Sequence, residues 1–219
     1  MTYDRRTARR LVWVSVFAIA FGYVEASVVV YLRALYYPEG FTFPLKLMSE
    51  RTVVTEMVRE VATIVMLVSV SVLSGRNRWQ RVGYFMVAFG VWDVLFYVWL
   101  SVVIGWPARL TDWDTLFLLP VPWIGPVLAP VLISLLAIVG GTLLALRTAE
   151  GVAFHPGILS WILALVGVGI LLTSFVADTG ATLRGAMPQP YRYDLLAAGL
   201  ALCAGGCVMA FRHKPRGSS

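Results

Sequence analysis

Histidine and cysteine are almost missing from this chain. Its 219 residues hold two histidines, His155 and His213, and two cysteines, Cys203 and Cys207. Both histidines stand outside the apolar runs. Paired-histidine haem ligation within a membrane, histidine-box di-iron chemistry and HExxH zinc chemistry are therefore excluded. Cys203 and Cys207 are spaced four apart in an apolar run, on one helix face, where disulfide geometry is awkward. They read as small buried apolar side chains, with no cysteine framework and no CxxC motif. No Ser-His-Asp set falls at one depth. Serines such as Ser69 and Ser71 read as hydroxyls bonded back to helix carbonyls.

Charge is scarce as well. Charged residues make up 14% and hydrophobic residues 59%, with a mean hydropathy of +0.78. A soluble domain carries about 25% charged and about 45–50% apolar residues. The balance excludes a disordered chain, a disulfide scaffold and an ordinary soluble enzyme. It points to an all-α polytopic membrane bundle. The net charge of +6 does not indicate nucleic acid, because the basic residues sit at the ends of apolar segments.

Six segments are long enough to cross about 30 Å of hydrocarbon. They lie near 11–35, 53–74, 82–105, 123–146, 157–177 and 191–211, within one transmembrane domain over 1–219. The first is too long for a cleaved signal peptide and has no small-x-small site at its end. Arg5, Arg6, Arg9, Arg10, Arg76, Arg78, Arg81, Arg147, Arg212, Lys214 and Arg216 fall on one side. Arg33, Lys46, Arg51, Arg109, Arg184 and Arg192 fall on the other. That bias puts both termini in the cytoplasm, and the expected location is the plasma membrane or cell inner membrane. The outer loop 106–122 reads as a short interfacial helix or re-entrant cap, with Asp112 as N-cap. Its tryptophans read as an interfacial belt. Residues 179–190 read as a Gly/Pro turn. Small residues in the later spans, among them Gly140, Gly141, Gly167 and Gly199, permit close helix packing.

The charges inside the spans carry the functional reading. Glu25 lies in the first, Glu56, Arg59 and Glu60 in the second, and Asp93 in the third. Each costs about 2.5–3.5 kcal/mol at the bilayer centre on insertion scales unless paired, neutralised or wet. Glu56, Arg59 and Glu60 share one helix face by their i+3 and i+4 spacing, so Arg59 can pair with Glu56. Glu25, Glu60 and Asp93 fall at similar depths. Carboxylates crowded together cannot all ionise, so at least one should carry a proton.

A weak internal likeness supports convergence. Residues 20–32 read AFGYVEASVVVYL and residues 88–100 read AFGVWDVLFYVWL. Glu25 aligns with Asp93, and each has a glycine three residues earlier, Gly22 and Gly90. The two helices are expected to flank the second span and present their carboxylates to it. Tyr23, Trp92, Phe96 and Tyr97, with Gly22 and Gly90, are the candidate pocket lining.

No cofactor and no metal centre are expected. Glu56 and Glu60 lack a neighbouring histidine, so only a hard cation with oxygen ligands would suit them. The leading expectation is proton- or cation-linked transport of a solute through the carboxylate/arginine cluster. Two readings stand beside it. One is an accessory or assembly subunit of a larger membrane complex. The other is an intramembrane enzyme working on a lipid or isoprenoid-like substrate by carboxylate acid/base chemistry. Expected partners are the lipid bilayer, a solute or lipid ligand, and further copies or other subunits. Composition names neither substrate nor reaction.

Overall fold

The computed structural model describes residues 5–43, 45, 46, 48–149, 154–177, 179–184 and 190–212. Asp4, Glu150, Asp178, His213, Lys214 and Arg216 lie outside the described residues, as do 185–189 of the expected Gly/Pro turn. The long helices are α1 (Arg5–Tyr36), α2 (Glu50–Ser74), α3 (Arg78–Ile104), α4 (Leu128–Ala149), α5 (Ile158–Val176) and α7 (Tyr193–Arg212). Each is long and apolar enough to cross a membrane, which marks a multi-pass helical membrane protein. A short helix, α6 (Thr179–Leu183), occupies the first residues of the expected turn.

The helix ends follow local chemistry. Ser49 caps α2 by accepting from the Thr52 amide, and Asn77 caps α3 by accepting from the Gln80 amide. Gly105 ends α3 in the left-handed region, φ 67°, where a side chain would be strained. Pro130 stands in the first turn of α4, where no amide donor is needed.

Helix α3 is the centre, packed by α1, α2 and α4, while α5 packs mainly on α7. Glycines set the tightest crossings. A Cβ on Gly83 would lie 2.7 Å from the Gly141 carbonyl oxygen, and one on Gly167 would lie 2.9 Å from that of Gly199. One buried cluster joins Val14, Ala18 and Phe21 of α1 to Leu67, Tyr84, Ala88 and Ala145. A second joins Ala129, Leu171, Phe175, Tyr191 and Leu196. Large apolar side chains such as Trp13, Val58, Leu73, Val102 and Leu165 point outward, as a lipid-facing surface requires.

The loop between α3 and α4 differs from expectation. It holds no interfacial helix among the described residues. Strands β1 (Trp113–Phe117) and β2 (Trp123–Pro126) pair antiparallel, Asp114 opposite Gly125 and Thr115 opposite Ile124. The fourth span consequently begins at Leu128 rather than 123. Residues 113–117, WDTLF, favour an extended strand, and Pro120 and Pro122 forbid a continuing helix. Asp112 caps no helix; its Oδ2 accepts from the Ala108 and Arg109 amides at 2.8 and 3.0 Å. Backbone that enters a bundle must satisfy its own polar groups, and a paired hairpin does so.

The hairpin marks one end of the bundle. There Tyr36 and Thr52 share a hydroxyl hydrogen bond of 3.0 Å. At the opposite end Asn77 donates to the Thr148 carbonyl at 3.2 Å and Arg147 to that of Phe211 at 3.1 Å.

Candidate functional site

Counted from Tyr36, Glu50 and Ile104, the positions of Glu25, Glu60 and Asp93 are 11, 10 and 11 residues in, about 15–17 Å along each axis. Three carboxyls on three helices thus stand at a common level. Glu56 is one turn nearer the hairpin end.

Arg59 holds the first group together. Its Nε and Nη2 each reach Glu56 Oε2 at 2.8 Å, and its Nη1 pairs with Glu25 Oε2. Glu25 and Glu56 are both buried, at 4% and 6% exposure. The local pair expected within α2 forms, and Arg59 also bridges to α1.

Glu60 and Asp93 have other partners. Both Glu60 oxygens accept the Leu118 amide, at 3.0 Å each, from the hairpin tip. Asp93 Oδ2 accepts from the Ser134 hydroxyl of α4 at 2.8 Å. Among the described residues neither acid forms an ion pair. Asp93 therefore does not present its carboxylate to α2 as Glu25 does. The reason lies in the glycines. A Cβ on Gly22 would meet the Trp92 carbonyl oxygen at 3.1 Å, so Gly22 seats α3 on α1. A Cβ on Gly90 would meet the Ser134 carbonyl oxygen at 2.6 Å, so Gly90 seats α4 on α3 and turns Asp93 toward α4.

The four groups still meet. Glu25, Arg59, Glu60 and Asp93 all line one chamber of about 60 Å3, walled by Trp92, Phe96 and Tyr97 and roofed by Thr115 and Phe117. That volume holds a few water molecules beside polar walls. Of the remaining expected lining, Gly22 and Gly90 lie at helix crossings. Tyr23 is 49% exposed and packs edge-on against Trp99, away from the chamber, because its position on α1 faces outward.

A second pair, whose members fall in or beside the loops by sequence, lies above the chamber. Arg33 Nη2 bonds Asp114 Oδ1 at 3.0 Å, with both side chains more than nine-tenths buried. The Arg33 guanidinium lies between Trp106 and Phe41, 3.6 and 4.4 Å from their ring centroids. Burial pushes the Asp114 carboxyl up to about 6, against the opposing pull of Arg33. The i+4 spacing of Glu25, Val29 and Arg33 on α1 is the available signal; nothing in the sequence pairs Arg33 with Asp114.

Arg33 and Asp114 line a larger vestibule of about 140 Å3, together with Lys46, Glu56, Arg59 and Glu60. Val29, Arg59, Glu60 and Thr115 belong to both vestibule and chamber, so the two adjoin. Across them Glu25, Glu56, Glu60, Asp93 and Asp114 outnumber Arg33, Lys46 and Arg59. The arrangement can hold protons or a small cation. No group of three metal-ligating side chains occurs among the described residues.

Comparison with protein-family models, curated proteins and solved structures finds no match.

Proposed function

We propose that the chamber carries protons or small cations and couples their movement to that of a solute. The observation that carries this reading is the pair Glu60 and Asp93. These two carboxyls lack an ion pair among the described residues, yet line the same cavity as the Arg59 cluster. Arg59 ties up Glu25 and Glu56 in ion pairs but neutralises only one of their two charges, while Glu60 and Asp93 stand outside those pairs and are the carboxyls free to exchange protons. The adjoining vestibule gives that exchange a route toward the hairpin end. The distribution of lysine and arginine supports a plasma-membrane placement, termini in the cytoplasm and hairpin outside.

The test is proton flux in proteoliposomes with an entrapped pH dye. An imposed gradient should collapse faster with wild-type protein than with empty vesicles. Glu60→Gln and Asp93→Asn should each abolish the difference. Wild-type vesicles that hold the gradient as well as empty ones, across a panel of added solutes, would overturn the reading.

A further inference from the structure

Asp93 faces two cavities of opposite character. On one side is the carboxylate chamber. On the other is an apolar pocket of about 170 Å3 between α3, α4 and α5. Trp92, Asp93, Leu116 and Phe117 belong to both, so the two cavities adjoin across these four side chains. Because α5 packs on α7 and β2, it leaves a cleft beside α3. Phe89, Ile133 and Phe175 line the cleft, and Val168 and Leu172, 46% and 37% exposed, stand at its lipid-facing side.

That shared lining also carries a polar group left unmet among the described residues. The Trp92 indole N–H is buried and has no partner among the described residues, and Trp92 is only 8% exposed. A buried donor left unpaired costs about 1–3 kcal/mol. An occupant with an acceptor oxygen would recover that. Glu60 and Asp93 call instead for a donor or cation, and an aromatic lining of Trp92, Phe96 and Tyr97 is compatible with a cation.

We infer that the site takes a single-chain amphiphile with an amino-alcohol head. The amine sits in the chamber between Glu60 and Asp93, the hydroxyl oxygen accepts from Trp92, and the chain fills the apolar pocket toward the lipid. A doubly anionic head is disfavoured by the surplus of carboxyls. A small polar solute leaves the apolar pocket unused. This inference rests on the transport reading for the role of the carboxyls, but its ligand is separately measurable.

The experiment uses a long-chain amino alcohol with a diazirine in its chain, photocrosslinked to the full chain in nanodiscs. Crosslinks should map to Phe89, Val168 and Leu172. Unlabelled dodecyl amino alcohol should compete, and dodecanoate should not. Asp93→Asn should weaken competition about tenfold, the effect of losing a charge-assisted hydrogen bond. Val168→Trp, a lipid-facing change that leaves the core intact, should block labelling of the pocket. Labelling spread evenly over outward residues such as Val12 and Val58, equal competition by dodecanoate, or labelling untouched by Val168→Trp would overturn the inference. Proton flux that persists beside any of those results sinks the ligand alone. Saturable crosslinking without proton flux sinks the transport reading alone.

Discussion

The Leu118 amide donates to both carboxylate oxygens of Glu60, at 3.0 Å each, across 58 residues of sequence. That bond ties the tip of the β1–β2 hairpin to the middle of α2. It places the hairpin over the chamber and gives an otherwise unpaired backbone donor its acceptor. Glu60→Leu should therefore loosen the hairpin tip. Hydrogen exchange at residues 113–126 should speed up strongly in that variant and less in Glu60→Gln, which keeps one acceptor oxygen. Unchanged exchange in Glu60→Leu would show that this bond does not latch the hairpin.

Arg59 should matter chiefly by neutralising its neighbours. Arg59→Gln leaves Glu25 and Glu56 buried without a countercharge, and should cost about 3 kcal/mol of stability. The Arg59 side chain is 23% exposed, which argues for the lower end of the range for broken buried pairs. Adding Glu56→Gln to Arg59→Gln should recover part of the loss. Denaturant unfolding in detergent, run as a double-mutant cycle, checks both statements.

Asp114 should leave a signature in the pH dependence of stability. Its carboxyl lies at about 6 in the folded protein, against an ordinary, solvated value of 3.8. Between those values the folded state binds more proton than the unfolded one. Stability contributed by this group is thus fully present below about 4 and is lost as pH rises through 6, on the order of 3 kcal/mol in all. Asp114→Asn should flatten that part of the profile. A wild-type profile that rises from pH 4 to 6, and a variant with the same slope, would contradict it.

Close approach at Gly90 predicts a sharp contrast with Gly205. Gly90→Ala drives a Cβ against the Ser134 carbonyl oxygen and should destabilise by about 1–3 kcal/mol. A Cβ on Gly205 meets nothing within 4 Å, so Gly205→Ala should leave the melting temperature nearly unchanged.

The spans are legible in the sequence because hydrocarbon thickness imposes a length and a composition on every crossing. Glu25, Arg59, Glu60 and Asp93 are legible because charge in a span is costly and has to be accounted for. Partners across elements are not. Ser134 is an ordinary serine in an apolar run, and the Leu118 amide has no sequence signature at all. The hairpin escapes a sequence reading because Trp113 and Phe117, although they favour a strand, also suit a membrane interface, which leaves a short interfacial helix before Pro120 open beside a strand. The pairing of β1 with β2 decides between them. Tyr23 falls outside the chamber because nearness to an acid in sequence says nothing about which side of the helix a neighbour occupies.

The central claim is that carboxyls from α1, α2 and α3 share one wet chamber reached from the hairpin end. Cysteine accessibility tests it most directly. In a chain lacking Cys203 and Cys207, Val29→Cys and Thr63→Cys would be challenged with a membrane-impermeant thiol reagent from each side of sealed vesicles. Modification is expected from the hairpin side alone, with Val29→Cys faster than the deeper Thr63→Cys. Protection of both positions from that side, or modification from the opposite side, would contradict the claim.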